Sequence, residues 1–99
     1  MLGYETESIN RLVRTIAGIN GEEECKAFLF DLCTIKELQD MAQRLDTAVM
    51  LTKGKNYREI AEEAGPSTAT ISRVRRALDY GNGGYKSVIA RMTGEKDED

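Results

Sequence analysis

The chain has 99 residues, 40% hydrophobic and 31% charged, enough for one small core and too few for two independent ones. It has no histidine and only two cysteines, Cys25 and Cys33, with no second pair, so neither a zinc site nor a disulfide framework is expected and both are read as buried, reduced thiols. A net charge of −3 argues weakly against nucleic acid, but the distribution is uneven: residues 53–91 carry eight basic and four acidic side chains, residues 1–52 five and nine.

A single proline and the lack of any sustained β-branched alternation predict an all-α chain, read here as six helices. The first runs from about Thr6 or Ser8 to Ala17, with Ile9, Leu12, Val13 and Ile16 at helical spacing, and stops near Gly18. Asn20 with Glu23 forms a capping-box pattern that opens a second helix through Phe28, Leu29 and Leu32, closing near Cys33. Its first-turn glutamates suit the positive end of the helix dipole. Thr34 with Glu37 is another capping box, with Cys33 and Leu38 at the hydrophobic-staple positions. It opens a long helix from Ile35 to about Thr52 whose stripe is Leu38, Met41, Leu45, Ala48, Val49 and Leu51, followed by Lys53 and Gly54 as a cationic, glycine-closed end.

The segment NYREIAEEAGPSTATISRVRRAL, residues 56–78, carries the strongest functional signal. Asn56 caps a short helix and Glu59 closes the box; Ile60, Ala61 and Ala64 share one face, with Ala61 expected where two helices cross closely. Gly65 supplies the left-handed residue past the helix end, Pro66 blocks continuation, and Ser67 caps a second helix with Ile71, Val74 and Leu78 inward. This joint pattern of types and spacings predicts a helix-turn-helix. The outward arc of the second helix then holds Ala69, Ser72, Arg73, Arg76 and, at its far end, Tyr80, with Thr68 at the tip.

In such a motif the start of the second helix enters the major groove, where small residues allow close approach and hydroxyls meet base edges or phosphates. Arginine reads guanine bidentately or grips phosphate. Ser67, Thr68, Ala69, Thr70, Ser72, Arg73, Arg75 and Arg76 are therefore the expected DNA-binding residues, against the plainer reading of a solvated charged face.

After a Gly-Asn-Gly-Gly break, Tyr85 to Met92 forms a last helix with Val88, Ile89 and Met92 on one side, and the acidic end at 95–99 is expected to be a disordered tail. Residues 1–94 thus read as one helical DNA-binding domain, with dimerisation helices over 1–52, the helix-turn-helix over 53–80 and a C-terminal dimer helix over 84–93. The N-terminal apolar stripes exceed what one small motif can cover, which predicts a homodimer with recognition helices about 34 Å apart, one turn of B-DNA, against the alternative of a compact monomer with those helices folded back.

The element order, LCTIKELQDMAQRL followed by KGKNYREIAEEAGPSTATISR, resembles the tryptophan repressor superfamily and within it looks most like the YerC/YecD-type regulators. The resemblance covers about Leu32 to Arg91, with REIAEEAG and ATISR as its most specific parts; the N-terminal helices match only in kind. It implies an intertwined, six-helix, TrpR-like dimer that binds operator DNA in bacterial transcription. In the tryptophan-binding branch the indole lies between two arginines, which Arg44 and Arg73 match, while Thr34 matches a residue near the bound amino acid and Thr70 a DNA-facing one.

Two positions depart from that branch: Val74 stands for a glycine against which the indole packs, and Ala77 for a serine that helps hold the ligand's amino group. Overfilling a packed site costs about 1–3 kcal/mol, and losing the polar partner about 0.5–1.5 kcal/mol more. The expectation is a vestigial pocket at Thr34, Arg44, Arg73, Val74 and Ala77 that does not take tryptophan, with no cofactor and no metal.

The leading functional reading is a sequence-specific, cytoplasmic DNA-binding repressor acting as a homodimer on a palindromic operator. Competing readings are a protein-interaction adaptor on the same fold, an amino-acid-responsive repressor, and a sigma-factor-like fragment. An enzyme is not expected, since no histidine, phosphate-cradling glycine loop or paired polar constellation is present. No signal peptide or membrane-spanning apolar run is visible.

Overall fold

Side-chain caps set several helix boundaries in the computed structural model, which describes residues 5–94. The described residues form six α-helices and no strand: α1 Glu7–Ala17, α2 Glu22–Leu32, α3 Ile35–Thr52, α4 Tyr57–Ala64, α5 Thr68–Tyr80 and α6 Gly84–Thr93. The expected acidic tail over 95–99 lies outside the described residues. Two compact units divide the chain, Met1–Leu38 and Gln39–Asp99, with the boundary inside α3.

In the first unit, Thr6 caps α1 by accepting a hydrogen bond from the Ile9 amide at 3.0 Å. The expected Asn20–Glu23 capping box does not form. Gly21, at φ 93°, turns the chain into α2 one residue later, and Glu24 accepts the Asn20 amide at 2.7 Å instead. The Thr34–Glu37 box forms in both directions, at 2.8 and 3.0 Å, and starts α3 at Ile35. Neither α1 nor α2 carries a fully buried residue, Cys25 and Cys33 are half-buried and not buried as expected, and the apolar stripe of α1, namely Ile9, Leu12, Val13 and Ile16, is exposed.

The core belongs to the second unit: Ala48 and Leu51 of α3, Ile60 of α4, Ile71, Val74 and Leu78 of α5, and Ile89 of α6, with Val49, Met50 and Tyr85 packed against it. Burial of these side chains, roughly 1.5–3 kcal/mol for each large aliphatic, holds the four helices together. The stripe expected along α3 is only partly used, because Met41 and Leu45 are exposed while Thr47 is fully buried. The Thr47 hydroxyl is satisfied by donating to the Gln43 carbonyl at 2.8 Å.

The end of α3 is closed by the Lys55 amide on the Met50 carbonyl and the Gly54 amide on the Leu51 carbonyl, the paired bonds of a Schellman cap. The inward side of α6 also differs from expectation. Ile89 is buried and Tyr85 half-buried, whereas Val88 and Met92, placed with Ile89 by spacing, are exposed.

Candidate nucleic-acid interface

The helix-turn-helix begins with a complete capping box. The Asn56 side chain accepts the Glu59 amide and the Glu59 carboxylate accepts the Asn56 amide, each at 2.9 Å. One turn later Ile60 is fully buried, whereas Ala61 is exposed, so the inward residue at this helix crossing is Ile60 and not the expected Ala61. Gly65 closes α4 at φ 78°, a left-handed conformation that costs an L side chain about 1–2 kcal/mol. Gln43 of α3 donates its side-chain amide to the Ala64 carbonyl at 3.1 Å, tying the end of α4 to the scaffold helix.

Pro66 is buried in the turn, and Ser67 caps α5 by accepting the Thr70 amide at 3.1 Å while donating to the Thr70 hydroxyl at 3.1 Å. Lys55 reaches across α4 to both oxygens of Glu63, at 2.8 and 2.9 Å. The hydrogen bond to Glu63, reinforced by the charges of Glu63 and Glu59, raises the Lys55 pKa above its ordinary 10.5, against some desolvation.

Ile71, Val74 and Leu78 are buried on one side of α5. At about 100° per residue, Ala69, Ser72, Arg73, Arg76 and Tyr80 all fall within about 55° of the opposite direction. Each of them is exposed. Among the described residues, Arg73 and Arg76 make no ion pair, so their charges face outward uncompensated.

Of the other expected DNA-facing residues, Ser67 and Thr68 are exposed at the tip and Thr70 is half-buried beside Ser67. Arg75 lies off the outward arc, half-buried, and pairs with Asp79 at 3.6 Å. That pairing offsets the one acid of α5 without using either arginine of the arc.

The residues matched to a vestigial pocket are not equivalent in the structure. Arg73 and Ala77 are exposed on α5, but Val74 between them is 2% exposed and belongs to the core. Ala77 borders an open cavity of about 290 Å³ with Gly81, Asn82, Gly84 and Tyr85. Arg44 is exposed on α3, and Thr34 is the residue whose hydroxyl caps that helix. No group of three or more His, Cys, Asp or Glu able to hold a metal occurs among the described residues.

Sequence reasoning identified the arc through the inward spacing of Ile71, Val74 and Leu78. It missed Gln43 and Thr47, for which the available signal was their i, i+4 spacing to each other and from Thr47 to Leu51 on the buried side of α3.

Three comparisons bear on this interface. Residues 7–93 match the family model described as Trp repressor protein. The uncharacterized protein YerC of Bacillus subtilis (strain 168) is 46% identical over 86 residues, covering 87% of this chain and 83% of YerC. The crystal structure of a TrpR like protein from Eubacterium eligens superposes with a TM-score of 0.85 at 42% identity, covering 90% of this chain and 92% of that one. A solved Staphylococcus aureus chain, assigned provisionally as a Trp repressor, also gives 0.85 at 42% identity, covering 90% and 89% of the two chains.

Proposed function

This chain belongs to the Trp repressor protein family, and from that premise we propose that it is a transcription regulator that represses by binding a palindromic operator as a homodimer. The observation that carries the reading is the outward arc of α5. Ala69, Ser72, Arg73 and Arg76 are small, hydroxylated or cationic, exposed, and opposite the buried stripe of the second helix of a capped helix-turn-helix. Small residues let the helix approach the base edges, the Ser72 hydroxyl bonds to bases or phosphates, and the arginines supply positive charge for the backbone.

The exposed apolar residues support the homodimer. Ile9, Leu12, Val13 and Ile16 of α1 and Phe30 and Leu32 of α2, like Val88 and Met92 of α6, are faces that a second copy would cover. The regulator is proposed to act in the cytoplasm, and none of its described helices is long and apolar enough to cross a membrane. Val74 in the core and alanine at position 77 support action without tryptophan.

The deciding experiment is binding of wild type and Arg76→Ala to a duplex selected from a randomised pool, measured across salt from about 50 to 200 mM. Loss of one phosphate contact lowers the salt slope by about one, and loss of a guanine contact relaxes specificity by about 1–3 kcal/mol at one position. Failure of the wild type to prefer any duplex over bulk DNA would overturn the reading. An unchanged Arg76→Ala profile would remove Arg76 from it.

A further inference from the structure

Tyr80 is 80% exposed, the most exposed of the large hydrophobic side chains described, although it ends a helix whose other large apolar residues are all buried. Its direction differs from that opposite the buried stripe by only about 30° at 100° per residue, so it continues the line of Arg76 and Arg73, one and two turns earlier. The neighbouring acid does not cancel this cationic line, because Asp79 is paired with Arg75 off the arc.

Helix length locates what Tyr80 meets. α5 has 13 residues, about 20 Å at 1.5 Å per residue, whereas the major groove is about 12 Å wide. A helix that enters the groove by its N-terminal turns therefore carries its last turn beyond the groove, where the sugar-phosphate backbone is the nearest part of a duplex. The last turn is well formed, with the Gly81 amide donating to the Ala77 carbonyl at 2.9 Å. Three of the four residues that follow Tyr80 are glycine, so little side-chain bulk stands between it and a duplex.

Resting on the DNA-binding reading above, we infer that Tyr80 is a backbone-contact residue of the operator complex, its phenolic hydroxyl donating to a phosphate oxygen where α5 leaves the groove. A phenol joins an apolar ring, which lies against the sugar edge, to a single neutral donor aimed at an anionic acceptor. Such a contact holds register without reading sequence and, unlike an arginine contact, releases no counterion.

That difference provides the test. Wild type, Tyr80→Phe and Tyr80→Ala are titrated against the duplex that wild type selects from a randomised pool, over about 50 to 200 mM salt. Tyr80→Phe weakens binding about tenfold, the worth of one hydrogen bond to a charged oxygen, with the salt slope unchanged. Tyr80→Ala weakens it at least as much. A single methylphosphonate substitution at the contacted phosphate weakens wild type but has no further effect on Tyr80→Phe.

Wild-type affinity in Tyr80→Phe would overturn the inference while leaving DNA binding intact. So would a changed sedimentation mass of either variant at equal protein concentration, which would place Tyr80 between protomers. A wild type that selects no duplex overturns the underlying reading and this inference with it.

Discussion

Replacing Gly81 by alanine tests whether the end of α5 is packed as tightly as its geometry requires. A Cβ at this position overlaps the Ala77 carbonyl oxygen and stands 3.1 Å from its carbon, both backbone atoms that cannot rotate away. The same oxygen accepts the Gly81 amide at 2.9 Å, so relieving the clash lengthens that bond. Overpacking costs about 1–3 kcal/mol and the lost hydrogen bond about 0.5–1.5 kcal/mol, so Gly81→Ala should destabilise by about 1.5–4.5 kcal/mol.

Gly65→Ala is the control, with strain and no clash. Its φ is 78° and the nearest atom to a new Cβ is the Gln43 side-chain nitrogen at 3.9 Å. The left-handed conformation costs about 1–2 kcal/mol, and stiffening the unfolded chain returns about 0.4–1 kcal/mol, leaving a net loss of about 0–1.6 kcal/mol. Urea unfolding at one fixed protomer concentration measures both, since a dimer's apparent stability follows concentration. If Gly81→Ala falls within about 0.5 kcal/mol of wild type, or is milder than Gly65→Ala, the packing argument fails.

Three further outcomes are expected. Ile71→Ala, at a fully buried core position, should lower unfolding free energy by about 2–5 kcal/mol in the same assay. Isothermal calorimetry with tryptophan should detect no micromolar binding, because Val74 is committed to the core and Ala77 offers no polar side-chain atom. The Lys55–Glu63 bond raises the Lys55 pKa, so its stabilisation is full below pH 10.5 and is lost as pH rises through the higher folded value. In Glu63→Gln that alkaline loss should shrink toward zero in pH-dependent thermal melts; an unaltered profile would show that Glu63 is not the cause.

Local chemistry was legible in the sequence wherever donor and acceptor lie within a few residues of one another. The boxes at Thr34–Glu37 and Asn56–Glu59 and the cap at Ser67 needed only the residue types and their spacing, whereas the start of α1, left open between Thr6 and Ser8, is set by the Thr6 hydroxyl on the Ile9 amide. The one failed box, Asn20–Glu23, failed for a local reason too, since a glycine at position 21 let the chain enter α2 one residue later. The inward stripe of α5 was equally plain because its three apolar positions leave no competing face, and that alone placed Ser72, Arg73 and Arg76 outward.

Tertiary structure decided which part of each wider apolar arc is used. Helical periodicity orders side chains around an axis, but the direction of burial depends on the neighbouring helix and on the volume between them. Along α3 the core takes Ala48, Leu51 and the hydroxyl-bearing Thr47 and leaves Met41 and Leu45 exposed; on α4 it takes Ile60 and leaves Ala61 out; on α6 it takes Tyr85 and Ile89 instead of Val88 and Met92. From sequence, Arg75 counted with Arg73 and Arg76 as one cationic run. The helical spacing already leaves Arg75 off the outward arc; what only the fold decides is its half-burial and its pairing with Asp79 at 3.6 Å, because side-chain partners depend on packing, whereas Arg73 and Arg76 stay exposed.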